Sequence, residues 1–485
     1  MSCLLASVVL CSATVSSFFS DGMMLQRDRP IPVWGTAAPG EHVEASFGGK
    51  SASAKADAKG NWCVTLPAFP ASDKGRVLKV GSRTIKDVIV GDVYIAGGQS
   101  NMQFPLCGQS ARQHDAKGNA LAQIAADDAL RFSAPRRMYS QTPTNDVELI
   151  WRKSGRAGLE KQVYEGKHEE GSISAIAWYF ARYVREAAKV PVGFVDVSRG
   201  GAFIEPSMPP AEVKRAGELR LWGREHQSPG VMWNAMIAPM TRFPFKGVLW
   251  YQGESNKNDT NGVYLAKLRA LVGGWRREFG NSKMPFYYVQ LAPCSSGHLA
   301  IQLQQAEYEK EDPNAAMVVV ADIGNLRNIH PRDKDTVGLR LALRALKKDY
   351  GFGDIQDASP EVRKATCDAS GKVSLEFTNA KWMYVLNEDM SLDADFELMD
   401  SAGTWHQARV VNFKDTWLWW SKKFVKNGEC EGNTIELSAD GVAQPKAVRY
   451  LFNSPWQGSV FNEASLPLGP FMMPVSAGGA EGGKR

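Results

Sequence analysis

Between residues 91 and 352 the chain alternates short, almost wholly apolar runs with stretches of helical periodicity, and this alternation restricts the fold more than any other feature. The apolar runs are DVYIAG, PVGFVDVS, KGVLWYQG, PFYYVQLAP and AAMVVVADIG. Residues 174–189 set Ala177, Phe180, Val184 and Ala188 on one helical face. Residues 263–279 do the same with Leu265, Leu268, Val272, Trp275 and Phe279, and a third helical stretch covers 335–350. Strands that lack apolar/polar alternation are buried on both faces, as in a parallel sheet covered by helices. The region therefore predicts an α/β, doubly wound parallel-sheet domain.

The flanks have a different rhythm. Residues 17–90 read as short strands (IPVWG, HVEASFGG, NWCVTLP, RVLKVGS) punctuated by Gly, Pro and Asp-Lys-Gly, which predicts a β-sandwich-like domain. Residues 353–475 return to β-rich patterning. Within them the run Trp417–Trp420 reads as a strand packing its aromatics, with a sugar-stacking platform as the alternative. The tail, 476–485, reads as disordered. Residues 1–16 carry an apolar stretch followed by small residues, as a secretory leader would, although no basic residue precedes it. A periplasmic or secreted protein is the expectation, with a first β-strand as the other reading of this segment.

Composition excludes whole classes. The net charge of +5 is dispersed, without the basic block of a nucleic-acid binder, and no apolar run reaches the roughly 20 residues of a membrane span. The seven cysteines contain no CxxC pair, which argues against a zinc site and against a dense disulfide framework. No metal or cofactor is expected. Oligomeric state has no signature in the sequence.

In doubly wound sheets, ligands bind beyond the carboxyl ends of the strands. Four such ends carry reactive or polar groups: Gln99, Ser100 and Asn101 after the first run; Arg199, Gly200 and Gly201 after the second; Gln252, Glu254 and Asn256 after the third; His330 after the last. A serine attacks an acyl carbon when a base takes its proton and donors receive the oxyanion. Ser100 is the candidate nucleophile and His330 the candidate base. The amides of Ser100 and of Gly200 or Gly201, with the side chain of Asn256, are the candidate donors. Gln99, Arg199 and Gln252 are the candidate substrate contacts. Each has a plainer reading, since a serine after a strand commonly caps a helix and a histidine before proline commonly shapes a loop.

Taken together, GQSNM, SRGG, WYQGESN and DIGNLRNIHPRDKDTVGLRLA resemble the SGNH-type hydrolases of the sialate O-acetylesterase group. FFSDGMMLQRDRPIPVWGTAAPGE, NAMIAPM and LFNSPWQGSVFNEASLPLGPF extend the resemblance over about residues 16–473. It implies an SGNH hydrolase domain flanked by β-domains and a metal-free esterase that removes acetyl groups from carbohydrate through an acetyl-serine. Residue by residue, it places the nucleophile at Ser100, the base at His330, and the oxyanion donors at Gly201 or Gly200 and at Asn256.

The chain departs from the group's pattern in three places. Asn328 stands where an aspartate usually precedes the base by two positions, Asn325 where another aspartate is common, and Arg199 where a tryptophan is usual. Replacing a triad acid by an amide lowers turnover by on the order of 10⁴ in serine proteases. Glu254 is the alternative orienting acid, with a structural carboxylate as its plainer role. A base held only by a backbone carbonyl or water is the third arrangement. Asp322 and Asp333 are expected to shape the loop and the start of the following helix. Arg199 either meets an acidic sugar or fills the tryptophan's place. A sugar-binding relative with a lost site, and an esterase of other acyl groups, remain the rival functions.

Overall fold

The structure is a computed structural model that describes residues 13–106, 126–155, 173–215, 225–324, 327–386, 394–418, 423–430, 432–453 and 457–478, without the side chains of 225 and 413–429. Residues 1–12 of the expected leader, Cys3, Cys11, Cys107, His114, His168, Asn325, Trp419, Trp420 and the end of the tail lie outside the described residues. The fold is mixed α/β with several sheets. The chain divides into two compact units, one of Met1–Trp250 with Ala266–Phe286, the other of Tyr251–Leu265 with Tyr287–Arg485. Among the described residues no helix is long and apolar enough to cross a membrane.

The first unit opens with strands β1 (Thr14–Val15), β2 (Met24–Gln26), β3 (Ile31–Thr36), β4 (His42–Phe47), β5 (Lys50–Lys55), β6 (Asn61–Leu66), β7 (Ser72–Val80) and β8 (Arg83–Gly98). β1, β3 and β6 form one sheet. In β6 the alternation is clean: Trp62, Val64 and Leu66 face inward while Asn61, Cys63 and Thr65 face out. β8 continues without a break across residue 90. Its first part pairs antiparallel with β7, the stretch Ile89–Gly91 pairs parallel with β2, and Asp92–Ala96 pairs parallel with β11 (Val192–Asp196). A four-residue helix, α1 (Ser100–Gln103), follows β8.

Strands β9 (Asp127–Ser133) and β10 (Arg152–Ser154) precede helix α2 (Ala175–Ala188), whose N-terminus is capped by Ser174 accepting from the Ala177 N–H. Lys189 closes α2 in the left-handed region. Phe180 of α2 meets Tyr94 of β8 edge-on at 4.9 Å. With β12 (Gly247–Tyr251) the strand order across this part of the sheet is β10-β9-β11-β8-β12. β9 has no apolar stripe to announce it, because Arg131 is buried there, its guanidinium donating to the carbonyl oxygens of Gly22 (2.7 Å) and Asp128 (3.0 Å).

Helix α3 (Val263–Glu278) matches the predicted 263–279 and supplies Trp275 to the first unit's core, where its ring N–H donates to the Ser207 carbonyl oxygen at 2.8 Å. The second unit continues through β13 (Phe286–Val289), α4 (Leu299–Glu311), β14 (Ala315–Val318) and α5 (Lys334–Asp349). Helix α4 has no counterpart in the sequence reading. Its buried side chains are Ile301, Gln302, Gln304, Gln305 and Tyr308, so three glutamines occupy the face that apolar periodicity would mark.

The rest of the second unit is β throughout: β15 (Glu361–Cys367), β16 (Val373–Thr378), β17 (Met383–Val385), β18 (Phe396–Met399), β19 (Trp405–Val410), β20 (Phe413–Leu418), β21 (Lys423–Cys430), β22 (Thr434–Ser438), β23 (Ala447–Tyr450), β24 (Val460–Asn462), β25 (Phe471–Pro474) and β26 (Ser476–Ala477). They build an eight-stranded sheet, order β25-β23-β18-β19-β22-β16-β15-β26, and a four-stranded sheet, order β20-β21-β17-β24. Val373, Leu375 and Phe377 of β16 join Ile435 and Leu437 of β22 and Phe396 and Leu398 of β18 in one core. β26 pairs with β15 at Thr366 and Cys367, so regular structure extends through Ala477, two residues into the segment read as tail. Among the described cysteines, Cys63, Cys294 and Cys367 are free thiols, and the Cys430 thiol donates to Asn412 Oδ1 at 3.5 Å.

Candidate active site

In the first unit, the chain ends β8 on Gly97 and Gly98 because nothing else fits. A Cβ on Gly97 would lie 2.9 Å from two ring carbons of Trp250, and Gly98 sits at φ 132°, which an L side chain rarely adopts. Gln99 then caps α1 with an extended backbone, the Gln103 N–H donates to the Gln99 carbonyl oxygen (2.9 Å), and Ser100 becomes the first helical residue, partly exposed between buried neighbours Gln99 and Asn101.

The parallel neighbour β11 brings the second stretch to the same end. The Val197 N–H donates to the Ala96 carbonyl oxygen (2.8 Å) and the Arg199 N–H to that of Gly98 (3.0 Å), so the ladder continues past the end of β11 to the last residue of β8. It leaves Gly200 beside Ser100, with a Cβ placed on Gly200 only 3.7 Å from the serine Cβ. The Gly200 N–H donates to Oε1 of Gln103. Gly201 is exposed and its Cα faces open space, and Arg199 is partly exposed. Buried Asp196, at the end of β11, accepts the Ser198 N–H (2.9 Å), and its carboxyl is pushed up by burial against the pull of Arg137. Ser100 and Gly200 thus lie side by side, and Gln103, which was not among the candidate residues, holds the Gly200 amide.

In the second unit, the stretch after β12 is a closed polar network. Gln252 Nε2 donates to Asn256 Oδ1 (2.6 Å), and Asn256 Nδ2 donates to Asp259 Oδ2 (2.7 Å). The Tyr264 hydroxyl donates to the Gln252 carbonyl oxygen (2.8 Å) and lies 3.1 Å from its Oε1. These two bonds fix which end of the Asn256 amide carries the hydrogens, and Asp259 takes one of them. Gln252, a candidate substrate contact, is 1% exposed, and its side-chain amide orients Asn256. From α4, Gln304 Nε2 donates to the Asp259 carbonyl oxygen (2.8 Å), Gln305 Nε2 to that of Gln252 (3.2 Å), and Gln302 Nε2 to that of Leu291 (2.7 Å). The glutamine face of α4 therefore holds the Asn256 loop, and only the geometry reveals this.

Glu254 is 4% exposed in the same loop. Lys334, the first residue of α5, is 3% exposed, with its Nζ 5.8 Å from the centroid of the Tyr251 ring. Burial lowers the Lys334 ammonium to about 7, against the opposing attraction of Glu254 and, more weakly, Asp333. Burial likewise pushes the Tyr251 phenol well up, with Glu254 adding to the rise.

His330 is partly exposed on the loop before α5. Asn328 Oδ1 accepts the backbone N–H of His330 at 2.9 Å, an Asx-type turn that an amide oxygen closes as well as a carboxylate would. The loop is shaped as anticipated by Asp322, paired through both oxygens with Arg340 at 2.7 Å, and by Asp333, which caps α5 by accepting the Thr336 N–H at 2.9 Å. Two of the remaining histidines are tied into local structure, His298 to the Ala292 carbonyl oxygen and Ser296 (both 3.0 Å), and His406 to Asp400 (2.7 Å).

A family profile described as "Carbohydrate esterase, sialic acid-specific acetylesterase" matches residues 90–347 of the 485. The chain belongs to this family. As a sialic acid-specific acetylesterase family member it is a carboxylic ester hydrolase. The family match spans every candidate residue named above, from Gln99 to His330. Mouse sialate O-acetylesterase is 26% identical over 545 aligned positions, covering 95% of this chain and 94% of the relative. The human sialate O-acetylesterase is 28% identical, covering 72% and 73%. Among solved structures, a carbohydrate acetylesterase from Xanthomonas citri matches with a TM-score of 0.80 and 32% identity, covering 95% of this chain and 99% of that one.

Proposed function

We propose that this esterase removes O-acetyl groups from sugars, sialic acid or an acetylated polysaccharide, through an acetyl-serine on Ser100, within an SGNH-type doubly wound hydrolase domain (about 91–352) flanked by β-sandwich-like regions. The observation that carries the reading is the seating of Ser100 against Gly200 at the joined ends of two parallel strands, in a chain of an acetylesterase family. The fold assignment draws on the parallel pairing of β11 with both β8 and β9 and on the mostly antiparallel sheets that follow residue 360.

In this reading His330 takes the proton of Ser100, whose Oγ attacks the acetyl carbonyl carbon. The Ser100 and Gly201 amides and the side-chain amide of Asn256 receive the oxyanion. Gly201 is preferred to Gly200 because the Gly200 N–H is directed at Gln103. His330 then protonates the departing sugar oxygen, and water hydrolyses the acetyl-serine by the same route. Glu254 is the orienting acid: Asn328 serves the backbone of His330, so the missing aspartate costs the turn nothing. Gln99 and Arg199 border the sugar, and a periplasmic or secreted location suits such a substrate.

The test is acetate release from O-acetylated sialic acid and from acetylated xylan, with fluorophosphonate labelling read by mass spectrometry. The enzyme is expected to release acetate and to label on Ser100, and Ser100→Ala to lose both. Sugar binding without turnover or label would convert the assignment to a binding protein. Preference for long acyl chains would replace it with a lipase-type activity.

A further inference from the structure

Lys334 is a buried cation that the proposed acetyl transfer does not use. It stands at the start of α5, four residues after His330, and is 3% exposed; Tyr251 (1%), over whose ring it lies, and Glu254 (4%), whose charge acts on it, are buried as well. Its Nζ lies over the Tyr251 ring at 5.8 Å, a cation–π arrangement that fixes where the charge sits. The groups acting on it are Glu254, from the loop after β12; Asp333, on its own segment, which is engaged in capping Thr336; and the Tyr251 phenol. Of the two carboxylates, Glu254 pulls harder.

A carboxylate this deeply buried takes up a proton unless a cation or several donors stand beside it. A protonated Glu254 could not accept from an imidazole N–H as an anion, nor stabilise the imidazolium formed when Ser100 attacks. We propose that Lys334 is the positioning residue that keeps Glu254 ionised, and that it thereby sets the acidic limit of acetyl transfer. The inference rests on the assignment of Glu254 as the orienting acid. Lys334 touches no reacting atom in this role. The low ammonium value, about 7, fits a charge kept only by what faces it, and the opposing pull of Glu254 is the reciprocal of the effect proposed here.

The test compares full-length wild type, Lys334→Met, Glu254→Gln and the double variant, by kcat/KM for acetate release between pH 5 and 9.5, with thermal unfolding to verify folding. Lys334→Met is expected to lose at least tenfold at pH 6 and to recover to within threefold of wild type at pH 9, where Glu254 ionises without help. Its acidic limb moves up by a unit or more. In the Glu254→Gln background the same substitution is expected to leave the limb where it was. A Lys334→Met profile superimposable on wild type, or a loss equal at every pH, overturns the inference while leaving Glu254 in place if Glu254→Gln is impaired. A limb that moves as far in the Glu254→Gln background also overturns it, since the cation would then act on His330 directly. Glu254→Gln within tenfold of wild type at every pH removes both assignments.

Discussion

Replacing Gly97 by alanine tests the packing that carries Ser100. The added methyl would lie 2.9 Å from both Cε3 and Cζ3 of Trp250 and 3.6 Å from Cη2 of Trp275, where carbon atoms normally rest 3.5–4.0 Å apart. The Trp250 ring has no room to withdraw. Trp275 backs it edge-on at 6.0 Å and is itself held by its bond to the Ser207 carbonyl, and Phe286 lies 6.1 Å away; all three rings are essentially buried. Overpacking in so closed a site costs about 3 kcal/mol, the upper end of the usual range, which lowers the melting temperature by roughly 3–5 °C for a chain of this size. If the strand yields instead of the ring, Ser100 moves with it, and kcat/KM falls by tenfold or more at a displacement of about 0.5 Å. Urea unfolding and acetate release measure the two responses. Trp250→Phe removes the two opposing carbons, so Gly97→Ala in that background should recover at least about 1 kcal/mol of the loss in a double-mutant cycle. A Gly97→Ala protein within 0.5 kcal/mol of wild type and with unchanged kcat/KM would refute the close-approach argument.

Two further outcomes concern buried charge. Lys334 titrates near 7 in the folded chain and near 10.5 when unfolded, so between those values the unfolded chain binds the extra proton and stability rises with pH. Wild type should gain up to about 2.7 kcal/mol in urea unfolding from pH 7 to 9 relative to Lys334→Met, and equal slopes for the two proteins would count against the depressed ammonium. In the first unit, Lys267 Nζ lies 2.6 Å from Glu205 Oε1 with both side chains buried. Lys267→Met is expected to cost about 3–5 kcal/mol and Lys267→Met/Glu205→Gln distinctly less, whereas a loss under 1 kcal/mol for the single variant would show the pair to be dispensable.

The elements that sequence revealed are those whose buried faces are apolar. Helices α2, α3 and α5 lie within a residue or two of their predicted spans, and the five apolar runs all contain strands. Elements that bury polar side chains escaped: α4 behind Gln302, Gln304 and Gln305, and β9 behind Arg131. Hydrophobic periodicity cannot register a glutamine whose amide replaces backbone partners inside the protein. The same limit applied to the candidate site. Residue types at strand ends singled out Ser100, Gly200, Asn256 and His330, but not the supports: Gln103 on the Gly200 amide, Asp259 and Tyr264 on the Asn256 network, or Lys334 beside Glu254. Gln252 was legible as a candidate but its bond to Asn256 was not, because spacing along the chain says nothing about which way an amide turns.

Strand β8 holds sixteen residues, from a hairpin with β7 to the glycine two positions before Ser100. An N-terminal truncation designed at the compositional boundary near residue 90 would therefore cut a hydrogen-bonded ribbon in mid-length instead of a hinge. The strand that leads to Ser100 would lose its anchorage, and the small β region would be left with an open, adhesive edge. For anyone engineering this esterase, the opening ninety residues are better treated as the root of the strand that carries Ser100 than as a removable appendage.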